Sequence, residues 1–252
     1  MALSPVQHAQ ELRFELGLRG PIDIMKVAES LCIDAYEEAL DSVDGLLLRA
    51  HGKAIIIINS RCSYETRKRF TIAHEIGHFY MPHHSGEHFQ CTAADIARYR
   101  SENKFEREAN EFASELLLPF REVDKALNHP PSMSTIRGIA DLYGTSMTAT
   151  AVKVAKTTCE SVAVVLSAAG NIEWAISSPS FRLLLRRGKL HENTYAFDYF
   201  VCGALPDSPQ QVLASAWCYD ALPSQFIKEE SIAFHRLGMV LSLLQMPGEE
   251  DD

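Results

Sequence analysis

Several features are missing from this sequence, and each omission narrows its class. No apolar run is long enough to cross a bilayer; stretches such as Ala54 to Ile58 are strand-sized. The N-terminal MALSPVQHAQELRFELG lacks a basic stretch followed by an apolar one, so no secretion signal is read there. The six cysteines, Cys32, Cys62, Cys91, Cys159, Cys202 and Cys218, contain no CxxC pair. That spacing argues against a zinc knuckle or a disulfide framework and for reduced, mostly buried thiols in a cytoplasmic protein. Basic charge is also short: 24 Lys and Arg face 33 Asp and Glu, and the formal net charge of -9 is a poor one for coating nucleic acid. There is no internal repeat and no low-complexity tract.

What remains is an ordinary globular composition of 46% hydrophobic and 23% charged residues. Over 252 residues it can bury a core in one large domain or two modest ones. Val6 to Leu16 reads as an amphipathic helix, and Ile22 to Leu31 as a second one after the break at Gly20-Pro21. Gly45 to Arg49 and Ala54 to Asn59 read as a strand pair turning at His51-Gly52-Lys53. The β-branched run AIIII suits a strand buried on both faces. A helix is expected from about Thr66 through Tyr80, stopped by Pro82, and another over Lys104 to Leu117, with Phe105, Ala109, Phe112, Ala113 and Leu116 on one side. The polar residues between them read as a surface excursion. His129-Pro130-Pro131-Ser132 reads as a linker. Short helices follow near Met133 to Leu142 and Met147 to Lys156, and from Ser161 the texture turns to strands: VAVVLS, IEWAIS and Val212 to Cys218. A helix is expected near Phe181 to Arg187, core roles for Trp174 and Trp217, and a frayed acidic tail at GEEDD.

The chemistry concentrates in FTIAHEIGHFYMPHH, Phe70 to His84. His74 and His78 are i and i+4 on the expected helix, so both imidazoles can address one ion. Glu75 stands one residue along, placed to take a proton from water without being a ligand. Apolar Ile72, Ala73, Ile76, Phe79 and Tyr80 surround the motif, so the helix is read as buried rather than as a solvated polar stripe. Two residues compete for the third ligand position. His84 has the spacing of HExxHxxGxxH, but Met81 followed by Pro82 stands where that turn needs glycine. Glu106, beside the apolar stripe of the 104–117 helix, is favoured over His84 and over Glu108, which points elsewhere around the helix. Asn110, one turn after Glu106, suits a hydrogen bond to a ligand histidine. His83, His84 and His88 are read as loop polarity. Tyr80, a conceivable oxyanion donor, is read as core.

RKRFTIAHEIGHFY, EREANEFASELLLP and the strand AIIIIN together resemble the ImmA/IrrE family of zinc metallopeptidases. The resemblance covers about the first half of the chain. It implies a gluzincin-like helix and sheet core, Zn2+ on His74, His78 and Glu106, Glu75 as general base, and a helix-turn-helix (XRE-type) repressor as substrate, whose cleavage derepresses stress-response or mobile-element genes. It also implies a helix-turn-helix-like segment near 133–156, and a sensor-like, GAF-type domain in the C-terminal part.

The expected architecture is therefore α+β: a zinc metallopeptidase domain over 1–128, a helical segment over 129–158, and a small α/β domain over 159–252 for sensing or dimerisation. A homodimer is compatible with this arrangement. A strand beside the active helix could bind substrate by β-augmentation, and 54–59 is a candidate that fits a central position equally well. Direct DNA binding by 133–156 is disfavoured, because its second helix carries only Lys153 and Lys156. The rival reading is a non-proteolytic regulatory protein with a structural zinc site. An intact Glu75 tilts against it, since a structural site needs no base.

Overall fold

The structure is a computed structural model, and it describes residues 3–50, 53–84, 88–91, 103–127 and 130–247. The expected turn at His51-Gly52, most of the excursion before Lys104, and the acidic tail lie outside the described residues. The fold is α+β. Contacts divide the chain into two compact units, Met1–Glu122 with Ala140–Ser146, and Val123–Ile139 with Met147–Asp252. No helix among the described residues is long and apolar enough to cross a membrane.

In the first unit, helix α1 spans Pro5–Glu15 and begins on a capping box. The Ser4 hydroxyl accepts from Gln7 N, and the Gln7 side chain accepts from Ser4 N. Helix α2 spans Ile24–Ser30 behind the N-cap Asp23. Strands β1 (Ile33–Glu38), β2 (Gly45–Ala50), β3 (Lys53–Asn59) and β4 (His88–Cys91) form a sheet in the order β1-β3-β2-β4. β3 pairs parallel with β1 and antiparallel with β2. The isoleucine run is therefore a central strand, which answers the edge-strand expectation: both ladders of 54–59 are already occupied, and no peptide can add there. β1 was not read from the sequence because its inward position, Ile33, is followed by mostly exposed Asp34, Tyr36, Glu37 and Glu38.

Helix α3 (Glu65–Tyr80) lies on β2 and β3, and helix α4 (Lys104–Leu117) packs against α3 and α1. Two glycines permit these approaches. A Cβ on Gly77 would come within 3.0–3.3 Å of the Phe112 side chain, so glycine lets α4 settle against α3 next to His78. A Cβ on Gly45 would meet Thr71 Cγ2 at 2.3 Å, so glycine lets α3 lie directly on β2. A glycine inside a helix sacrifices about 0.5–1 kcal/mol relative to alanine, and burying Phe112 completely offsets that. The residues 140–146 are tied in by Arg69, which donates to the carbonyls of Ile22, Tyr143 and Gly144, and by Tyr143, whose hydroxyl donates to Glu122.

Helix α5 (Phe120–Ala126) and helix α6 (Met133–Tyr143) follow. In the second unit, helix α7 (Met147–Thr157) buries Thr150, Ala151, Val152, Val154, Ala155 and Thr157, and packs on β5 (Val162–Ala168) and β6 (Asn171–Ser177). The antiparallel sheet runs β7-β6-β5-β10-β9-β8, with β7 Gly188–Lys189, β8 Gln210–Leu213, β9 Phe226–Phe234 and β10 Met239–Gln245. Phe181–Arg187 is not a helix. Leu183 and Leu185 turn into the core while Leu184 is exposed, a period of two, and Leu185 bridges Cys218. The helix lies later: α8, Tyr195–Cys202, between the N-cap Thr194 and a left-handed Gly203. Trp217 is fully buried and Trp174 half-buried. Of the five cysteines whose side chains are described only Cys218 is buried, so mostly buried thiols is a reading the structure corrects.

Candidate metal centre

The α-helical repeat of α3 carries His74 and His78 to one face, and the packing of α4 at Gly77 brings Glu106 opposite them. All three are buried. Their ligand atoms crowd around one point: His74 Nε2 lies 3.0 Å from Glu106 Oε2 and 3.1 Å from His78 Nε2, and His78 Nε2 lies 3.4 Å from Glu106 Oε1. The three form a group able to hold a metal ion.

Hydrogen bonding shows why that point suits a cation. His74 Nδ1 is 2.9 Å from Asn110 Oδ1, an acceptor, so Nδ1 carries the hydrogen and Nε2 of the neutral ring is a lone pair. That lone pair faces a carboxylate oxygen and a second imidazole nitrogen. Burial holds the His78 imidazole down at about 4, so it is neutral at pH 7. Burial pushes Glu106 up, and hydrogen bonds and positive charge at the two histidines pull it down to about 2, a role that a cation at the same point would take over once both Nε2 atoms are lone pairs. Lone pairs and a carboxylate converging on one buried point repel unless a positive charge sits among them. Tetrahedral zinc ligands at about 2.0–2.1 Å stand roughly 3.3–3.4 Å from one another. The observed separations of 3.0, 3.1 and 3.4 Å come within about 0.3 Å of that spacing. The donor set fits a divalent ion of the zinc kind.

Glu75 is wholly buried, and neither carboxyl oxygen has a hydrogen-bond partner among the described residues. Burial pushes its carboxyl up to about 8, with His74 opposing and the Glu106 charge adding to the rise. A structural glutamate would have found donors. This one borders Gly45, where a Cβ would come within 3.3 Å of Oε1, so the glycine also keeps space open beside the carboxyl. Gly45 escaped the sequence reading, although a glycine opening a strand next to LLL is the available signal for a close approach.

His84 does not join the triad. It touches His78 on the far side of that ring, Nδ1 to Nδ1 at 2.9 Å, and it is 1% exposed, so loop polarity does not describe it. The reason is Glu108, whose Oε2 lies 3.0 Å from His84 Nε2 and 2.8 Å from His83 Nε2. Glu108 does point elsewhere from Glu106, and what it points at is this pair. Tyr80 is committed to Glu15, to which its hydroxyl donates at 2.8 Å. His88 lies in β4.

The sequence model for the IrrE N-terminal-like domain of the M78 peptidases matches residues 28–155, which takes in both motif helices. The chain belongs to the ImmA/IrrE family. Membership supports a peptidase of the zinc type, in keeping with a buried His, His and Glu set beside a carboxyl without partners among the described residues. No curated protein matches this chain.

Proposed function

We propose that this ImmA/IrrE member is a zinc-dependent endopeptidase in which His74, His78 and Glu106 hold Zn2+ and Glu75 is the general base. The observation that carries the reading is the pairing of a convergent three-ligand cluster with a buried carboxyl that no other described residue employs. A bound ion supplies Lewis-acid polarisation of water and of the scissile carbonyl. Glu75 would act as base in its ionised form, which a positive charge held nearby by His74, His78 and Glu106 would favour. Glu75 takes one proton from water as the oxygen adds to the carbonyl carbon. It then delivers that proton to the amine nitrogen as the C–N bond breaks. Asn110 holds His74 with the Nε2 lone pair turned toward Glu106 and His78, and Gly45 keeps room beside Glu75.

The proposed substrate is a helix-turn-helix repressor of the XRE type, a choice supported by family resemblance, and the proposed consequence is derepression of stress-response or mobile-element genes. Direct DNA reading by α7 is not part of the proposal, because that helix spends six of its eleven residues on its own core. The test is Glu75→Gln, incubated with such a repressor and assayed for metal content. The variant should keep one equivalent of zinc and lose about 10²–10⁴-fold in cleavage rate. Cutting at the wild-type rate would overturn the assignment.

A further inference from the structure

The two ligand imidazoles are held by different means. His74 is fixed by an amide on α4, as above. His78 is fixed by another imidazole, which is fixed in turn by Glu108. Glu108 is acceptor-only when ionised, so His84 donates to it from Nε2 at 3.0 Å. A neutral ring has a single N–H, so His84 Nδ1 is then a lone pair. The 2.9 Å contact between the two Nδ1 atoms therefore has His78 donating, which leaves His78 Nε2 as a lone pair directed at His74 and Glu106. The backbone under this chain is fastened too. Arg49 on β2 donates to the carbonyl of His84 at 2.8 Å and to the carbonyl of His78, and His84 N donates to Met81 O at 3.0 Å. The Phe105 ring stands edge-on to the His84 ring at 4.9 Å.

We propose that Glu108 and His84 are positioning residues, a hydrogen-bond relay that holds His78 in the tautomer able to ligate the metal. The inference rests on the zinc reading above. It has a competitor in the same atoms, because His83, His84 and Glu108 also form a group with metal-ligand spacing. Proton counting separates the two. An ion on His84 Nε2 would force the hydrogen onto His84 Nδ1, which would then donate to His78 and put the hydrogen of that ring on Nε2, where it blocks ligation. An ion in the outer group thus disables the inner one. The outer group is also poorly made for a cation: the His83 side chain is 42% exposed, and Lys104 Nζ already lies 3.6 Å from Glu108 Oε1.

The test combines zinc affinity by chelator competition with histidine ¹⁵N NMR of the metal-free full chain. Glu108→Leu should weaken zinc binding by about 10–100-fold. Glu108→Gln, whose amide oxygen still accepts, should recover most of the loss, and His83→Ala should leave affinity and a stoichiometry of one unchanged. The spectrum should show His84 protonated at Nε2 and His78 at Nδ1. Unchanged affinity in Glu108→Leu, a second zinc equivalent removed by His83→Ala, or a hydrogen on His84 Nδ1 would each overturn the relay. Failure of the wild type to bind zinc at all would defeat the parent reading instead, and the protonation pattern would still decide the relay.

Discussion

Among the described residues three glutamates are almost wholly out of water, Glu75 and Glu115 in the first compact unit and Glu229 in the second, at 0%, 1% and 2% exposed, and Glu75 and Glu229 make the sharpest contrast. Glu229 is surrounded by donors. It accepts from the backbone N–H groups of Tyr195 and Ala196 at 3.2 and 2.8 Å, from Trp217 Nε1 at 2.9 Å, and from the Ser231 hydroxyl at 3.0 Å. Burial pushes its carboxyl up, and those four donors pull it only part of the way back. Glu75 has burial and no donors among the described residues. A buried carboxylate with its acceptor capacity filled is a piece of architecture; here it caps α8 and anchors Trp217. A buried carboxyl left without partners weakens the fold, and such a group is kept where chemistry needs a proton acceptor that nothing else has claimed. The same residue type at the same depth thus serves the fold in one unit and, on our reading, the reaction in the other.

The largest effect that would sharpen this contrast lies at Glu229. Glu229→Leu keeps the bulk and removes every acceptor, stranding the Trp217 and Ala196 N–H groups. Each stranded donor costs about 1–3 kcal/mol, so the loss should reach about 3 kcal/mol or more in urea unfolding. Zinc content should not change. A variant as stable as wild type would break the comparison, because Glu229 would then be no better used than Glu75.

Glu75 should respond in the opposite direction. Its folded value, about 8, stands above the ordinary 4.5, so between those values the folded chain holds a proton that the unfolded chain has released. Stability from this group is therefore full below about 4.5 and is lost as pH rises through about 8. In metal-free protein, Glu75→Gln should be more stable than wild type by about 1–3 kcal/mol at pH near 8, with the gap closing toward pH 5. Thermal unfolding across that range, with a chelator present, checks it. A gap that widens toward acid pH would show that Glu75 is satisfied in the folded state after all.

The inner site was legible in the sequence because its information is local. His74 and His78 are one helical turn apart, Glu75 lies between them, and the apolar residues around them announce burial. Glu106 followed from its place beside an apolar stripe. The partners that act across distance were hidden. Glu108 stands 24 residues from His84, and nothing in its neighbourhood distinguishes it from a solvated glutamate. Glu229 sits in the polar run Lys228-Glu229-Glu230-Ser231, where strand alternation alone turns it inward. Phe181–Arg187 shows the converse error: three consecutive leucines satisfy helical and strand periods alike over so short a stretch, and pairing with Cys218 decided between them. β3 was read as strand from β-branching, but its central place required β1, whose exposed residues conceal it.

The smallest effect tests whether the Glu229 network is one device or several. The first three N–H groups of α8 are divided between two acceptors. Tyr195 and Ala196 donate to Glu229, and Phe197 donates to the Thr194 hydroxyl at 3.1 Å. Thr194 is 1% exposed, and its own hydroxyl donates to His191 O at 2.8 Å. Removing an N-cap hydroxyl typically costs about 1 kcal/mol, so Thr194→Ala should lose about that much and Thr194→Ser very little. In the Glu229→Leu background the helix start is already loosened, and restoring order around Thr194 gains less. The double variant should then be less destabilised than the sum of the singles by about 0.5 kcal/mol or more, the coupling expected of residues in one network. Strict additivity would mean that Glu229 stabilises Trp217 and the sheet without helping to start α8, and the carboxylate would then be explained by two of its four bonds alone.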